Sequence, residues 1–164
     1  EEGCHRNFAF TMYHADEMPL LEWGALDVKN IGKNLWKVTI EVANDKLIPS
    51  RTGMASKHHI GSPDVLFCTT SDNNAVATSG TVRSIQQTAK LDAIDSENPA
   101  RILVNKGIGS KSSTLFQFII DGSGDVSFTY KAEKGGTISR VIELKEQFEP
   151  KTIEHKRAIP NPAL

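Results

Sequence analysis

The stretch Trp36-Lys37-Val38-Thr39-Ile40-Glu41-Val42 alternates apolar and polar side chains without an error. Successive side chains on a strand point to opposite faces, so this period of two predicts a half-buried antiparallel strand. Val126-Ser127-Phe128-Thr129-Tyr130 repeats the pattern, and residues 115–120, 65–68, 102–104 and 137–144 are further strand candidates. Weaker signals lie near residues 26–28 and 81–85. Seven or eight short strands are therefore expected, separated by turn signals at Asn30-Ile31-Gly32-Lys33-Asn34, Asp121-Gly122-Ser123-Gly124-Asp125 and Gly135-Gly136. No helical period intervenes between them, which disfavours parallel βαβ units. The expected fold is mainly β, an antiparallel immunoglobulin-like β-sandwich of seven or eight strands preceded by one N-terminal α-helix.

That helix is read from residues 1–18, where Cys4, Phe8, Met12 and Ala15 fall at steps of four, four and three, a stripe along one helical face. Pro19 stops it. Phe10 and Tyr13 lie off the stripe, so the helix is apolar on more than one face and calls for burial on two sides. From Leu26 onward the period changes to two, placing a sandwich domain over residues 26–148 after a helix and linker over 1–25. Residues 48–64 and 72–79 read as loops, and residues 149–164, with three prolines, as a surface tail. No internal repeat or low-complexity segment is present.

With 164 residues, 38% hydrophobic and 24% charged, the chain suits one domain plus an appendage and is short for the large catalytic architectures. Nineteen basic against 20 acidic side chains, with scattered lysines, argue against nucleic acid as a partner. No apolar run approaches the length of a membrane span, so no membrane partner is expected, and Glu1-Glu2-Gly3-Cys4-His5-Arg6 does not open like a signal peptide. The absence of an initial methionine suggests a processed protein or a piece of a longer one. Cys4 and Cys68 allow at most one disulfide and are expected to be buried thiols.

Candidate chemistry is sparse. His14-Ala15-Asp16-Glu17 is an HxxE pair that, with distant His155, has the composition of a zinc site. Such pairs arise often by chance, and the triplet is rejected as a metal site. His58-His59, beside Lys57, reads as a solvated loop pair, because adjacent residues in an extended segment point apart. Gly107-Ile108-Gly109-Ser110-Lys111-Ser112-Ser113 fails the phosphate-loop pattern, its lysine following serine, and more simply shapes a bend. Asp121-Gly122-Ser123-Gly124-Asp125 lacks most ligands of a calcium loop and reads as a glycine-rich hairpin. No G-x-S-x-G elbow is present, and Cys68 sits in an apolar strand that disfavours a thiolate. Trp36 belongs to the core side of its strand, leaving Trp23 as the plausible surface or interface aromatic.

Two segments carry a resemblance. Glu1-Glu2-Gly3-Cys4-His5-Arg6-Asn7-Phe8-Ala9-Phe10-Thr11-Met12-Tyr13-His14-Ala15-Asp16-Glu17-Met18-Pro19 is similar to the terminal helix of the catalytic domain in a bacterial group of zinc metallocarboxypeptidases, akin to carboxypeptidases A and B. The stretch from Val28 through Trp36 to Asn44, with Leu47-Ile48-Pro49-Ser50-Arg51, resembles the β-sandwich extension that follows it, and residues 124–137 fit as well. The resemblance implies that the zinc ligands, substrate arginines and general base lie upstream, so no catalytic residue carries over and zinc belongs to an absent domain. His14 and Glu17 do not match the family's zinc motif. Phe8, Phe10, Met12 and Tyr13 would pack between the domains, and an exposed helix would invite dimerisation. Secretion or a periplasmic location is expected on the same ground. The implied role is a non-catalytic accessory domain. Alternatives are a peptide- or polysaccharide-binding module using the sandwich loops and, further off, an independent metal-dependent enzyme.

Overall fold

A computed structural model describes residues 2–71, 75–82, 92–93 and 97–145. Helix α1 (Glu2–Asp16) leads into β1 (Leu21–Gly32) and β2 (Leu35–Asn44). A short helix α2 (Gly53–Lys57) precedes β3 (Asp64–Thr70), β4 (Ala75–Val82), the two-residue β5 (Asp92–Ala93) and β6 (Arg101–Val104). β7 (Ser112–Asp121), β8 (Gly124–Ala132) and β9 (Gly136–Leu144) complete the described chain. The strands form two antiparallel sheets, β1-β2-β7-β4-β5 and β6-β3-β8-β9. Apart from the edge strands β5 and β6, the order β1-β2-β7-β4 facing β3-β8-β9 is the ABED-on-CFG arrangement of an immunoglobulin-like sandwich.

The apolar side of β2 is buried as the sequence requires, but its polar side is not open to solvent throughout: Thr39 is buried too, its hydroxyl accepting from Gln117 Nε2 at 3.2 Å. Val38, Ile40 and Val42 are fully buried, as are Phe116, Phe118 and Ile120 beside them on β7. They meet Leu66, Val126, Phe128 and Tyr130 of the other sheet, and Phe118 and Phe128 lie with ring centroids 5.1 Å apart. Trp36 is in this core, its indole N–H donating to the Gly122 carbonyl at 2.8 Å.

Four local expectations are corrected. β1 begins at Leu21 rather than Leu26, because a bulge between Trp23 and Leu26 changes which parity faces inward and breaks the alternation. The Ala25 N–H donates to Glu41 Oε2 at 3.0 Å to hold it, and a Cβ on Gly24 would meet that oxygen at 2.6 Å. Residues 75–79 are not loop but the start of β4, formed by backbone pairing to β7 with few large side chains to advertise it. Asp121-Gly122-Ser123-Gly124-Asp125 is not a hairpin: β7 and β8 belong to different sheets, and the segment carries the chain between them. Gly122 (φ 127°) and Gly124 (φ 112°) permit that corner, and the Gly122 N–H donates to the Asn34 carbonyl. Finally, Cys4 is exposed; only Cys68 is buried. Residues 83–85 and 149–164 lie outside the described residues.

Candidate functional site

The densest polar chemistry gathers at one end of the sandwich, where the 44–64 segment crosses the start of β3 and the 107–109 bend. Asn44, Ser50, Arg51 and Asp64 are all buried there. Asn44 uses its whole amide: Oδ1 accepts from the Leu20 and Lys46 N–H groups, and Nδ2 donates to the Ile48 and Gly109 carbonyls. A buried amide with all four bonds made fixes the chain around it. Ser50 Oγ donates to Asp64 Oδ2 and accepts from the Ile108 N–H at 2.7 Å, while the Ser50 N–H donates to the Ile108 carbonyl. The Tyr130 hydroxyl donates to the same Asp64 oxygen, and the Glu133 N–H donates to Asp64 Oδ1 at 3.2 Å. One buried carboxylate thus collects a loop, β8 and the β8–β9 turn.

Gly107 lets the bend come this close. Its φ is +62°, and a Cβ there would lie 2.6 Å from Ser50 Oγ and 2.9 Å from the Arg51 nitrogen. Arg51 Nη2 donates to the Ala55 and Ile60 carbonyls around the end of α2, while Nε and Nη1 have no partner among the described residues. Burial, reinforced by the Asp64 charge, pushes the Tyr130 hydroxyl far above the ordinary phenol range. The grouping of serine, carboxylate and tyrosine has the residue types of a nucleophilic site. Ser50, Asp64 and Tyr130 are nevertheless fully buried, so a substrate atom has no approach and the cluster is a clamp between loops.

The other sequence candidates do not converge. His14 packs its ring edge-on against Phe10, with centroids 4.3 Å apart, while Glu17 Oε2 accepts from the Leu47 N–H. His155 lies outside the described residues. Among the described residues no group of three or more His, Cys, Asp or Glu side chains is placed to hold a metal. His58 and His59 are exposed just past α2, and the glycines of the 107–113 stretch shape the bend between β6 and β7. Trp23 is not a surface aromatic: it is half-buried against the core, and its indole N–H has no partner among the described residues.

Helix α1 is the other unusual feature. None of its residues is buried, and Phe8 (65%), Phe10 (66%), Met12 (52%) and Tyr13 (53%) all face solvent. Among the described residues its attachment is at the C-terminal end, where Lys46 Nζ pairs with Asp16 at 3.0 Å and the Ile48 N–H donates to the Glu17 carbonyl. No helix among the described residues is long and apolar enough to cross a membrane.

The sequence signalled the apolar helix plainly. It did not signal the clamp, because Ser50, Asp64 and Tyr130 are distant in the chain and match no motif. The nearest hint was the Asn44 to Arg51 stretch that carried the resemblance.

No curated protein and no solved structure matches the chain. One family model does, described as "Domain of unknown function (DUF8731)", over residues 20–143, which takes in every strand from β1 almost to the end of β9 and leaves α1 outside. The chain belongs to the DUF8731 domain family.

Proposed function

We propose that this chain is a non-catalytic accessory module whose helix α1 docks on a separate catalytic domain, that of a zinc metallocarboxypeptidase, and holds the sandwich beside it. The observation that supports this reading is the fully exposed helix bearing Phe8, Phe10, Met12 and Tyr13 on nearly opposite faces. A soluble helix normally buries one apolar stripe, and an isolated one of this length is marginal in water. Exposed large apolar side chains in such density mark a contact surface. The anchoring of Asp16 and Glu17 to the 46–48 segment would transmit the docked orientation to the clamp and the sheets. Zinc would reside in the docked domain, where it polarises a scissile carbonyl and activates water; His14 and Glu17 are engaged otherwise and do not fit as its ligands.

The test uses the whole chain. Zinc content and hydrolysis of blocked dipeptides with free C-termini are measured first, with and without added zinc; stoichiometric zinc with turnover overturns the reading. A zinc carboxypeptidase catalytic domain from the same polypeptide is then titrated into the chain. Binding is expected, together with its loss in the Phe8→Ser/Phe10→Ser variant, whose sandwich should unfold at the same urea concentration as the parent. Absence of binding by the unsubstituted chain also overturns the proposal.

A further inference from the structure

The outward face of the β6-β3-β8-β9 sheet carries a groove that the helix does not reach. Its floor is Val65 and Phe67 of β3, and Phe67 remains 38% exposed where an outward strand position ordinarily holds a polar residue. Arg101, opposite Phe67 on β6, and Lys131, opposite Val65 on β8, stand on the two sides of this floor. Neither makes an ion pair among the described residues. One wall is the segment ending in Pro63. That wall is fixed: a Cβ on Gly61 would lie 2.5 Å from Glu133 Oε1, and both Asp64, next to Pro63, and the Glu133 N–H belong to the buried clamp. The groove measures about 660 Å³, within the usual range of small-ligand sites.

We infer that this groove binds an extended acidic peptide that lays an apolar side chain on Phe67 and Val65 and carries carboxylates to either side. The lining carries two cations, Arg101 and Lys131, against one carboxylate, Glu133, which lies against the Gly61 wall, and this balance favours an acidic occupant. Cations on both flanks of an apolar floor ask for anions on both flanks of an apolar group, which alternating side chains of one extended chain supply and a single-headed lipid does not. Arg101 and Lys131 stand one strand to either side of β3 and two residues apart along it, roughly 12 Å from each other at ordinary strand spacing, and the i and i+4 side chains of an extended chain, about 13 Å apart on one face, match that span. The inference stands on the groove alone and does not depend on docking by α1.

Chemical-shift perturbation on the ¹⁵N-labelled full chain tests it, using the blocked pentapeptide Asp-Glu-Leu-Glu-Asp. Shifts are expected at the amides of Val65, Phe67, Arg101 and Lys131, with affinity falling several-fold between low and physiological salt. R101E and K131E, both at outward positions, should each weaken binding by about tenfold or more with the spectrum otherwise preserved. F67S should weaken the leucine peptide while leaving a peptide with alanine in its place little changed. Equal binding of Lys-Lys-Leu-Lys-Lys, absence of shifts at these amides, or binding of phosphatidylserine vesicles in place of the peptide would overturn the inference.

Discussion

The Tyr130 hydroxyl donates to Asp64 Oδ2 at 3.1 Å, joining the inner side of β8 to the first residue of β3 with both side chains fully buried. The same oxygen takes the Ser50 hydroxyl, and the other takes the Glu133 N–H. Removing Asp64 therefore strands two buried hydroxyl donors, Ser50 and Tyr130, and the part-buried Glu133 N–H, whereas removing the Tyr130 hydroxyl leaves the carboxylate two of its three partners. Unsatisfied buried groups cost more than the bonds themselves contribute, so Asp64→Ala is expected to lose about 3 kcal/mol and Tyr130→Phe about 1 kcal/mol. Urea denaturation read by tryptophan fluorescence separates the two, and equal losses would refute the assignment of Asp64 as the hub.

Alkaline pH should weaken the fold through Tyr130 and Cys68. Burial pushes the Cys68 thiol up to about 12 from 9.0 and raises Tyr130 from 10.0. Both groups keep their protons in the folded state where the unfolded chain releases them. Their contribution is whole below the unfolded-state values and declines as pH rises from about 9 toward the folded-state values. Stability by urea is expected to fall between pH 9 and 11, and Tyr130→Phe should flatten the part of that slope above pH 10.

The two thiols should differ sharply in reactivity. Cys4 stands exposed on α1, while Cys68 is buried within β3 with its thiolate disfavoured. Ellman's reagent at pH 8 is expected to modify one thiol per native chain quickly and the second only after unfolding. Cys4→Ser should abolish the fast reaction, and Cys68→Ser should leave it intact.

Gly107 should tolerate no side chain. Its φ of +62°, and the Ser50 and Arg51 atoms within 3.0 Å of the point a Cβ would occupy, leave alanine strained in backbone and packing alike. Gly107→Ala is expected to cost about 2–3 kcal/mol, whereas a glycine-to-alanine change in a compatible conformation is mildly stabilising. Amide exchange should show the loss first at Ser50 and Ile108, whose mutual bonds close this bend.

The sandwich was legible in the sequence because β2 and β8 turn apolar side chains to one face and mostly polar ones to the other, so Val38, Ile40, Phe128 and Tyr130 announce their strands by parity alone. Where parity broke, reading failed for a definite reason: the bulge at Gly24 and Ala25 switches the inward register of β1, and β4 is held by backbone pairing to β7 instead of by large side chains. A glycine-rich turn also looks the same whether it joins strands of one sheet or carries the chain between two, which is why Gly122 and Gly124 suggested a hairpin. The clamp and the groove were illegible because each depends on residues such as Ser50 with Tyr130, or Phe67 with Arg101, that only the register of distant strands brings together. The apolar helix was legible as a helix, but its exposed Cys4 was not, since periodicity marks a face without saying what covers it.

Glu17 is expected to set the direction in which α1 leaves the sandwich. Its carboxylate accepts from the Leu47 N–H at 2.9 Å and its carbonyl accepts from the Ile48 N–H, so side chain and backbone hold adjacent residues of one segment. Glu17→Ala removes only the first of these bonds. Hydrogen exchange should therefore accelerate at Leu47 while Ser50, secured by the Ile108 carbonyl, keeps its protection. The bond is exposed, so global stability should change by less than about 0.5 kcal/mol. Faster exchange at Ser50 as well would mean that the helix attachment and the buried clamp open together, and that α1 is structurally part of the sandwich instead of an arm projecting from it.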